Sequence, residues 1–244
     1  MTAVPAGRRR DRTSPASHGF ARPAAAIAAA ILAVGALAYA VDSMIEEYRD
    51  GIALRGLGGK PSPVELIVAG EPMTIPANMI RFRTERRGGA VDRVDLLLHW
   101  PSLEGFSEGL ADDFKDASPR APLIFVTISA RDTPLDSTAR LDTVYRRFFE
   151  GPAITGPAGL VGRGLSDGSG YQGEIVYFTP KGIAPFVARC LAEETPEIPA
   201  TCIRDVNIGQ GLSMLYRFNE AHLGEWKAID GGLARLTAGF LPER

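Results

Sequence analysis

The sequence predicts an α+β fold with a mostly antiparallel sheet, and three observations support that class. Strand-like segments outnumber helical ones, strands and helices do not alternate regularly, and glycine-containing turns follow several of the strands. Regular alternation would instead favour a parallel sheet. One apolar segment precedes this domain. We therefore expect a single N-terminal transmembrane helix, followed by a sheet domain with two or three packed helices.

The apolar segment spans residues 24–41 and contains no charged residue. As a helix it would be roughly 27 Å long, which is sufficient for a bilayer core. Five arginines and one aspartate precede it, so the positive-inside rule keeps the N-terminus in the cytoplasm and exports the rest. We expect a basic cytoplasmic tail at 1–22, an anchor helix with an extramembrane extension at 23–50, a Gly/Pro-rich linker at 51–63 and an exported domain at 64–244.

A cleavable signal peptide is the alternative interpretation of this segment. Ala38 and Ala40 are small residues at the two positions that a signal peptidase reads. Against cleavage, the tail is long for a signal peptide, and apolar residues continue at helical spacing beyond Ala40. The first interpretation gives a single-pass protein of the bacterial cytoplasmic membrane with a periplasmic domain. The second releases the domain into the periplasm after cleavage at Ala40.

Composition and charge limit the possible partners. Hydrophobic content of 45% and charged content of 23% are ordinary for a globular protein. The chain has 27 basic and 29 acidic residues; without the five and one that lie in the first 41 residues, 22 and 28 remain. The exported part thus carries a net charge of −6, which argues against nucleic acid and against attraction to an anionic membrane by net charge. The expected partners are the cytoplasmic membrane, through residues 24–41, and an envelope protein.

The first half of the domain shows four strand patterns and one helical pattern. A strand at 64–69 ends at Gly70, and residues 79–84 and 91–100 form a candidate hairpin around a Gly-Gly turn. From Ser102, a candidate N-cap, apolar residues recur at helical spacing. Residues 123–129 form a nearly continuous apolar run, which is typical of a central strand.

The second half begins with the clearest helical pattern. Thr133 is its expected N-cap, with Pro134 in the first turn and Gly151 as its end. A glycine-rich loop is expected next, with a short strand at 160–161. The remaining expected elements are strands at 171–178, 186–189, 203–206 and 212–218 and a final amphipathic helix at 222–240.

Cys190 and Cys202 are the only cysteines and both lie in the exported part, where the environment is oxidising. They flank a proline-containing segment between two strand-like runs, so we expect a structural disulfide across a hairpin. Closing a loop of this length contributes on the order of 3 kcal/mol. A redox pair is disfavoured because the spacing is not Cys-x-x-Cys. Two free buried thiols are the other alternative.

Motifs for a metal or a cofactor are missing from the sequence, and we expect neither group. His99 and His222, the two exported histidines, belong to no zinc-binding pattern. The glycine-rich stretch 156–164 lacks the Gly-Lys-Ser/Thr ending of a phosphate-binding loop. His99, at a strand end, is a candidate general base, although a histidine satisfied by local hydrogen bonds is the simpler interpretation.

The segment from Ser129 to Arg140 is the candidate ligand or partner site. It concentrates charged and hydroxyl side chains where a strand meets a helix N-terminus, whose free N–H groups can bind an anion. The simpler alternative is helix capping with a local Arg–Asp pair. The residues of the candidate site are Arg131, Asp132, Thr133, Asp136 and Arg140.

These observations favour a membrane-anchored, non-enzymatic periplasmic module. Such a module would serve as a subunit, assembly factor or sensor of an envelope complex. An enzyme acting on envelope material is the first alternative, with a site built from His99 and the segment 129–140. A soluble ligand-binding protein released by cleavage after Ala40 is the second.

Overall fold

The structure is a computed structural model that describes residues 56–242 except 117, 119, 183 and 192–199. The predicted tail at 1–22 and anchor at 23–50 lie outside these residues. Within the described ranges, no helix combines the length and the apolar character needed to cross a membrane. The described residues belong to one compact unit, Ile52–Arg244.

Eleven strands and three α-helices make up the described part of the domain. The strands are β1 Pro63–Val68, β2 Glu71–Pro76, β3 Gly89–Val91, β4 Arg93–His99, β5 Leu123–Ala130, β6 Phe149–Thr155, β7 Val161–Leu165, β8 Glu174–Phe178, β9 Val187–Leu191, β10 Thr201–Ile208 and β11 Leu212–Asn219. The helices are α1 Ala111–Lys115, α2 Ser137–Thr143 and α3 Trp226–Ala238. Short 3-10 helices lie between several of these elements.

The strands form two sheets. Eight of them pair antiparallel in the order β4-β5-β11-β10-β9-β8-β7-β6, and three form a small sheet in the order β2-β1-β3. The small sheet contains one parallel pair, β1 with β3. The prediction of an α+β fold with a mostly antiparallel sheet is confirmed. β5, predicted as a central strand, lies inside the large sheet beside its edge strand β4.

One face of the large sheet, called here the closed face, carries the main core. Alternate residues of β5 and β11 point to this face and are buried, as the two-residue period of a strand requires. Side chains of α3 and of the β1–β2 hairpin pack against them. The residues that contribute most from these elements are Leu66, Met73, Ile75, Ile124, Val126, Ile128, Met214, Tyr216, Phe218, Ile229 and Leu233.

The opposite face, called here the open face, carries two separate and smaller clusters. Near β4, residues of α1 and its preceding loop cover Leu97 and Leu123. Near β8 and β9, α2 and the 3-10 helix after it cover Val176, Phe178 and Val187. The strands between these clusters, β5, β11 and β10, present side chains that are only partly covered on this face.

The hairpin predicted from residues 79–84 and 91–100 is formed only in part: the two segments pair antiparallel through Ile80 and Leu96, but residues 82–84 form no strand and Gly89 begins β3. Residues 79–81 run along the outer edge of β4, with Arg81 N–Asp95 O at 2.8 Å and Leu97 N–Met79 O at 2.9 Å. The hairpin β1–β2 is turned at Ala69 and Gly70, which have positive φ. β2 was not predicted because it contains Pro72 and Pro76, and an edge strand tolerates prolines.

The helix predicted from Ser102 is wrong over most of its length. The segment before α1 is a loop joined to a distant part of the chain, since Phe106 N donates to Asn78 O at 2.8 Å. Gly105 allows this approach, because a Cβ there would lie 2.4 Å from the Asn78 backbone. Phe106 and Phe114, which the predicted helix placed on one face, do contact each other: their rings pack edge to face with centroids 5.4 Å apart.

Thr133 does not cap the helix that follows β5. The N-cap of α2 is Asp136, whose carboxylate accepts from Ala139 N at 2.9 Å. α2 ends at Thr143, and Phe149 already begins β6. The predicted loop at 151–173 therefore contains most of β6 and all of β7. These strands were not predicted because their glycines are typical of loops. Gly162 is required there, because a Cβ would lie 2.8 Å from the Tyr177 ring.

Candidate functional site

The predicted disulfide is present. Cys190 on β9 and Cys202 on β10 occupy paired positions and are bonded. Both are fully buried in the core of the closed face. Because reagents cannot reach these sulfurs in the folded domain, the bond has a structural role.

Arg131 does not contribute its charge to an anion site. Its guanidinium donates to the carbonyls of Ile208, at 3.3 Å, and Leu212, at 3.3–3.4 Å. These hydrogen bonds stabilise the turn between β10 and β11. Asp132 and Thr133 are exposed in the loop that precedes α2.

Arg140 and Asp205 form an ion pair that attaches α2 to the open face of the sheet. Ser137 adds a second link, donating from Oγ to Asp205 Oδ1 at 2.6 Å. Arg140 also donates to the Tyr145 hydroxyl at 3.2 Å and to Leu135 O at 2.6 Å. Burial opposes the charge of Arg140, but Asp205 and the tyrosine outweigh it and raise the pKa of the guanidinium. The carboxylate partner of Arg140 thus comes from a distant strand, and not from the local Arg–Asp pair that the simpler alternative expected.

A cavity of about 230 Å³ lies beside this ion pair. Arg189 is a second cation in its wall, paired with Glu174 at 2.6 Å and stacked 4.0 Å from the Tyr171 ring centroid. Each arginine thus has its own carboxylate, and the cavity offers polar groups without a surplus of positive charge. Its lining residues are Ser129, Ala130, Asp132, Thr133, Ser137, Arg140, Arg189, Ile203, Asp205, Ser213 and Leu215. Of the five predicted site residues, Asp132, Thr133 and Arg140 meet here.

His99 lies at the other end of β5 from this cavity. It pairs with Leu123, six residues before Ser129, which is a separation of about 20 Å along the strand. The structure therefore does not bring His99 and the segment 129–140 into one site.

His99 has its own polar neighbours. Its Nδ1 is 2.9 Å from Ser102 Oγ, and its Nε2 is 3.2 Å from Asp113 Oδ2. Ser102 Oγ also accepts from Glu104 N at 3.3 Å. In the serine protease arrangement the serine faces Nε2 and the aspartate faces Nδ1, so the two ring nitrogens have exchanged partners here.

The middle of the open face carries a strip of side chains that was not predicted from the sequence. This central strip, defined by Phe125, Ile203, Leu215 and Arg217, crosses β5, β11 and β10 between the two small clusters. Leu215 is 42% exposed, an unusual value for a leucine in an inner strand. The Arg217 guanidinium lies 4.9 Å from the Phe125 ring centroid and forms no ion pair with the described residues.

A second arginine approaches the same ring. The Arg81 guanidinium is 5.2 Å from the Phe125 centroid and 5.0 Å from that of Phe82. Positive charge is therefore concentrated around the Phe125 ring, where it would attract an anionic group. A cavity of about 160 Å³ adjoins Phe125 and Arg217 on the side away from α2.

The largest of the described cavities, about 580 Å³, lies near the end of β11. Tyr177 and Arg120 contribute to its wall. Burial and the nearby Glu220 raise the pKa of the Tyr177 hydroxyl, so this group is a neutral donor at physiological pH. The cavity has no strip of exposed apolar residues comparable to the one around Leu215.

A signal for the strip was present in the sequence. Once Leu212, Met214, Tyr216 and Phe218 are assigned to the core, alternation places Leu215 and Arg217 on the other face. A leucine on the face opposite the core is the signal, because that face of a strand usually carries polar residues. Its pairing with Phe125 depends on strand register, which the sequence does not reveal.

Within the described residues, no group of His, Cys, Asp and Glu side chains is arranged to hold a metal ion. No family model matches the chain, and no curated protein does. Among solved structures, the crystal structure of the Neisseria meningitidis iron-regulated outer membrane lipoprotein FrpD is similar, with a TM-score of 0.47 and 13% identity. The match covers 76% of this chain and 95% of that one.

Proposed function

We propose that the protein is a membrane-tethered periplasmic module that binds an envelope protein through the central strip and performs no catalysis. The observation that carries the proposal is the combination, on the open face, of an exposed leucine and an arginine that has no ion pair with the described residues. Leu215 is 42% exposed, and Arg217 lies against Phe125 without an ion pair to the described residues. An exposed apolar patch bordered by polar residues is typical of an interaction site.

The chemistry of the strip defines the partner that it fits. Its apolar residues would pack against aliphatic or aromatic side chains, and Arg217 and Arg81 would bind carboxylates. Arginine and phenylalanine together are typical of the energetically important centre of an interface. The partner segment is therefore an acidic and apolar one.

A photo-crosslinking residue at position 215 tests this surface. In detergent-solubilised membranes, the full chain should crosslink one protein at position 215, and Arg217→Glu should abolish the product because it reverses the charge. A crosslinker at Ile154 on β6, which is 43% exposed, is the matched control and should give no such product. Equal products at both positions, or a product insensitive to Arg217→Glu, would contradict the proposal.

The tether needs a separate test. Resistance to alkaline carbonate extraction, with an intact N-terminus by mass spectrometry, is expected for an anchor at residues 24–41. A mature N-terminus at Val41 would instead indicate cleavage after Ala40 and a soluble periplasmic protein. Either result leaves the crosslinking at position 215 interpretable.

The contacts of His99 favour a second candidate function, hydrolysis with Ser102 as nucleophile. His99 would take the hydroxyl proton through Nδ1, and Asp113 would orient the ring through Nε2. Labelling of the full chain by a fluorophosphonate probe that Ser102→Ala abolishes would support this candidate. Absence of labelling would leave Ser102 as the cap of a local turn, as its contact with Glu104 N indicates.

A further inference from the structure

We propose that residues 82–87 form a second contact with the membrane, against anionic phospholipid headgroups. This basic segment contains Arg83, Arg86 and Arg87, one acidic residue and Phe82. The inference rests on the tether proposed above. It adds an orientation of the domain, with the β4 side facing the bilayer.

The positive charge of the basic segment is not neutralised by the described residues. Arg83, Arg86 and Arg87 form no ion pair with them. The single acid, Glu85, is occupied by β4, since its carboxylate accepts from Asp95 N at 3.0 Å. Burial and the neighbouring Arg83 lower the pKa of Arg86, so these like charges crowd each other. Phosphate groups would relieve that repulsion and accept several guanidinium hydrogen bonds.

Phe82 supplies the apolar part of the contact. Its side chain is 40% exposed, and its ring lies 5.0 Å from the Arg81 guanidinium. An exposed aromatic ring flanked by arginines is the composition of interfacial membrane segments, whose ring enters the headgroup region while the cations bind phosphates.

The basic segment lies where the domain joins its linker. A Cβ at Gly58 would be 3.3 Å from Arg86 Nη1, so the linker and the basic segment are in contact. Seventeen residues lead from Val41, the end of the predicted membrane span, to Gly58, and they extend to at most about 60 Å. A tether of this length holds the arginines at high effective concentration near the headgroups, so a weak attraction per residue is sufficient.

The net charge of −6 does not prevent this contact, because screening makes local charge decisive. The Debye length at physiological ionic strength is about 8 Å. From β4 to β6 the large sheet spans seven strand spacings, which is about 34 Å. Acidic residues on that distant side contribute little to the potential at the basic segment. The expectation from net charge therefore does not apply to this part of the surface.

Hydrogen–deuterium exchange of the full chain in lipid nanodiscs tests the proposal. We expect residues 82–87 to exchange more slowly in discs that contain phosphatidylglycerol than in discs of phosphatidylcholine alone. Arg83→Glu/Arg87→Glu should remove this difference, since two arginines account for roughly a 30-fold preference for the anionic surface. The matched control is Arg147→Glu/Lys181→Glu, which makes the same charge change at two other exposed positions and should retain the protection.

Three outcomes would overturn the proposal. Equal exchange in the two lipid compositions would exclude binding to anionic headgroups. If the control variant lost the protection of residues 82–87 to the same extent, net charge alone would explain the effect. Protection that arises only after addition of a membrane-protein extract would assign the basic segment to a protein partner. Failure of the tether is distinguishable, because the chain would then not co-elute with the discs.

Discussion

The two faces of the large sheet are covered to very different extents. On the closed face, α3 and the β1–β2 hairpin bury one continuous core. On the open face, α1 and α2 bury two small clusters and leave the central strip between them. The closed face therefore supplies most of the stability, and the open face has surface available for binding.

Neighbouring residues of β10 show how each face holds its helix. Arg204 points to the closed face and donates to Asp230 of α3 at 3.0 Å. Asp205 points to the open face and pairs with Arg140 of α2. The polar attachment is similar on both sides. What differs is the apolar area around it, which is large beneath the 13-residue α3 and small beneath the seven-residue α2.

The largest expected effect separates two adjacent residues of β11. Met214 is 1% exposed on the closed face, and Leu215 is 42% exposed on the open face. Met214→Ala should lower the free energy of unfolding by about 3 kcal/mol, because it leaves a cavity in the core. Leu215→Ala should cost less than about 1 kcal/mol. Denaturant unfolding followed by tryptophan fluorescence measures both. Similar losses in the two variants would contradict the distinction between the faces.

The disulfide is the next largest effect and belongs to the closed face. Cys190→Ala/Cys202→Ala should lower the free energy of unfolding by roughly 2–3 kcal/mol, since it releases a 12-residue constraint on the unfolded chain. The same measurement on the wild type with reductant provides the comparison. A loss far below this in both would show that packing of the closed face, and not the cross-link, holds β9 against β10.

The closed face was more predictable from sequence than the open one. The nearly continuous apolar run at 123–129 predicted β5, the strand predicted at 212–218 corresponds to β11, and two cysteines between strand-like runs in the exported part predicted the disulfide. These signals are local and strong, because a buried strand has few tolerated residues. The strand at Glu71–Pro76 escaped prediction because its prolines are acceptable only at an edge, and edge position is a property of the whole sheet.

The candidate site was predicted only in part, for a similar reason. The segment 129–140 does line a cavity, but Arg131 binds backbone carbonyls and Arg140 binds a carboxylate 65 residues away. Which partner each arginine finds depends on how the strands are ordered. Likewise, Phe125 and Arg217 become neighbours only through the register of β5 and β11.

The attachment of α2 to the open face gives a smaller effect. Asp136→Ala should lower the free energy of unfolding by about 1 kcal/mol, because it removes the carboxylate that accepts from Ala139 N. Thr133→Ala is the matched control. It removes only a 3.3 Å contact with Leu135 N and should cost less than about 0.5 kcal/mol. The reverse ranking in denaturant unfolding would restore Thr133 as the cap.

The smallest effect is a pH dependence from Glu174, which faces Arg189 on the open face. Burial raises the pKa of this carboxyl and outweighs the attraction of Arg189. The folded state therefore holds the proton to higher pH than the unfolded state. Stability should fall as pH rises from the unfolded pKa of about 4.3 through the raised folded value, and then level off.

Glu174→Gln should remove this fall, and unfolding measured across that pH range tests the difference. Glu150→Gln, at an exposed position on β6, controls for the change in net charge. If stability instead rises with pH in the wild type relative to Glu174→Gln, the attraction of Arg189 dominates over burial. The open face would then hold a charged pair that is stabilising in its own right, and its difference from the closed face would be one of apolar area alone.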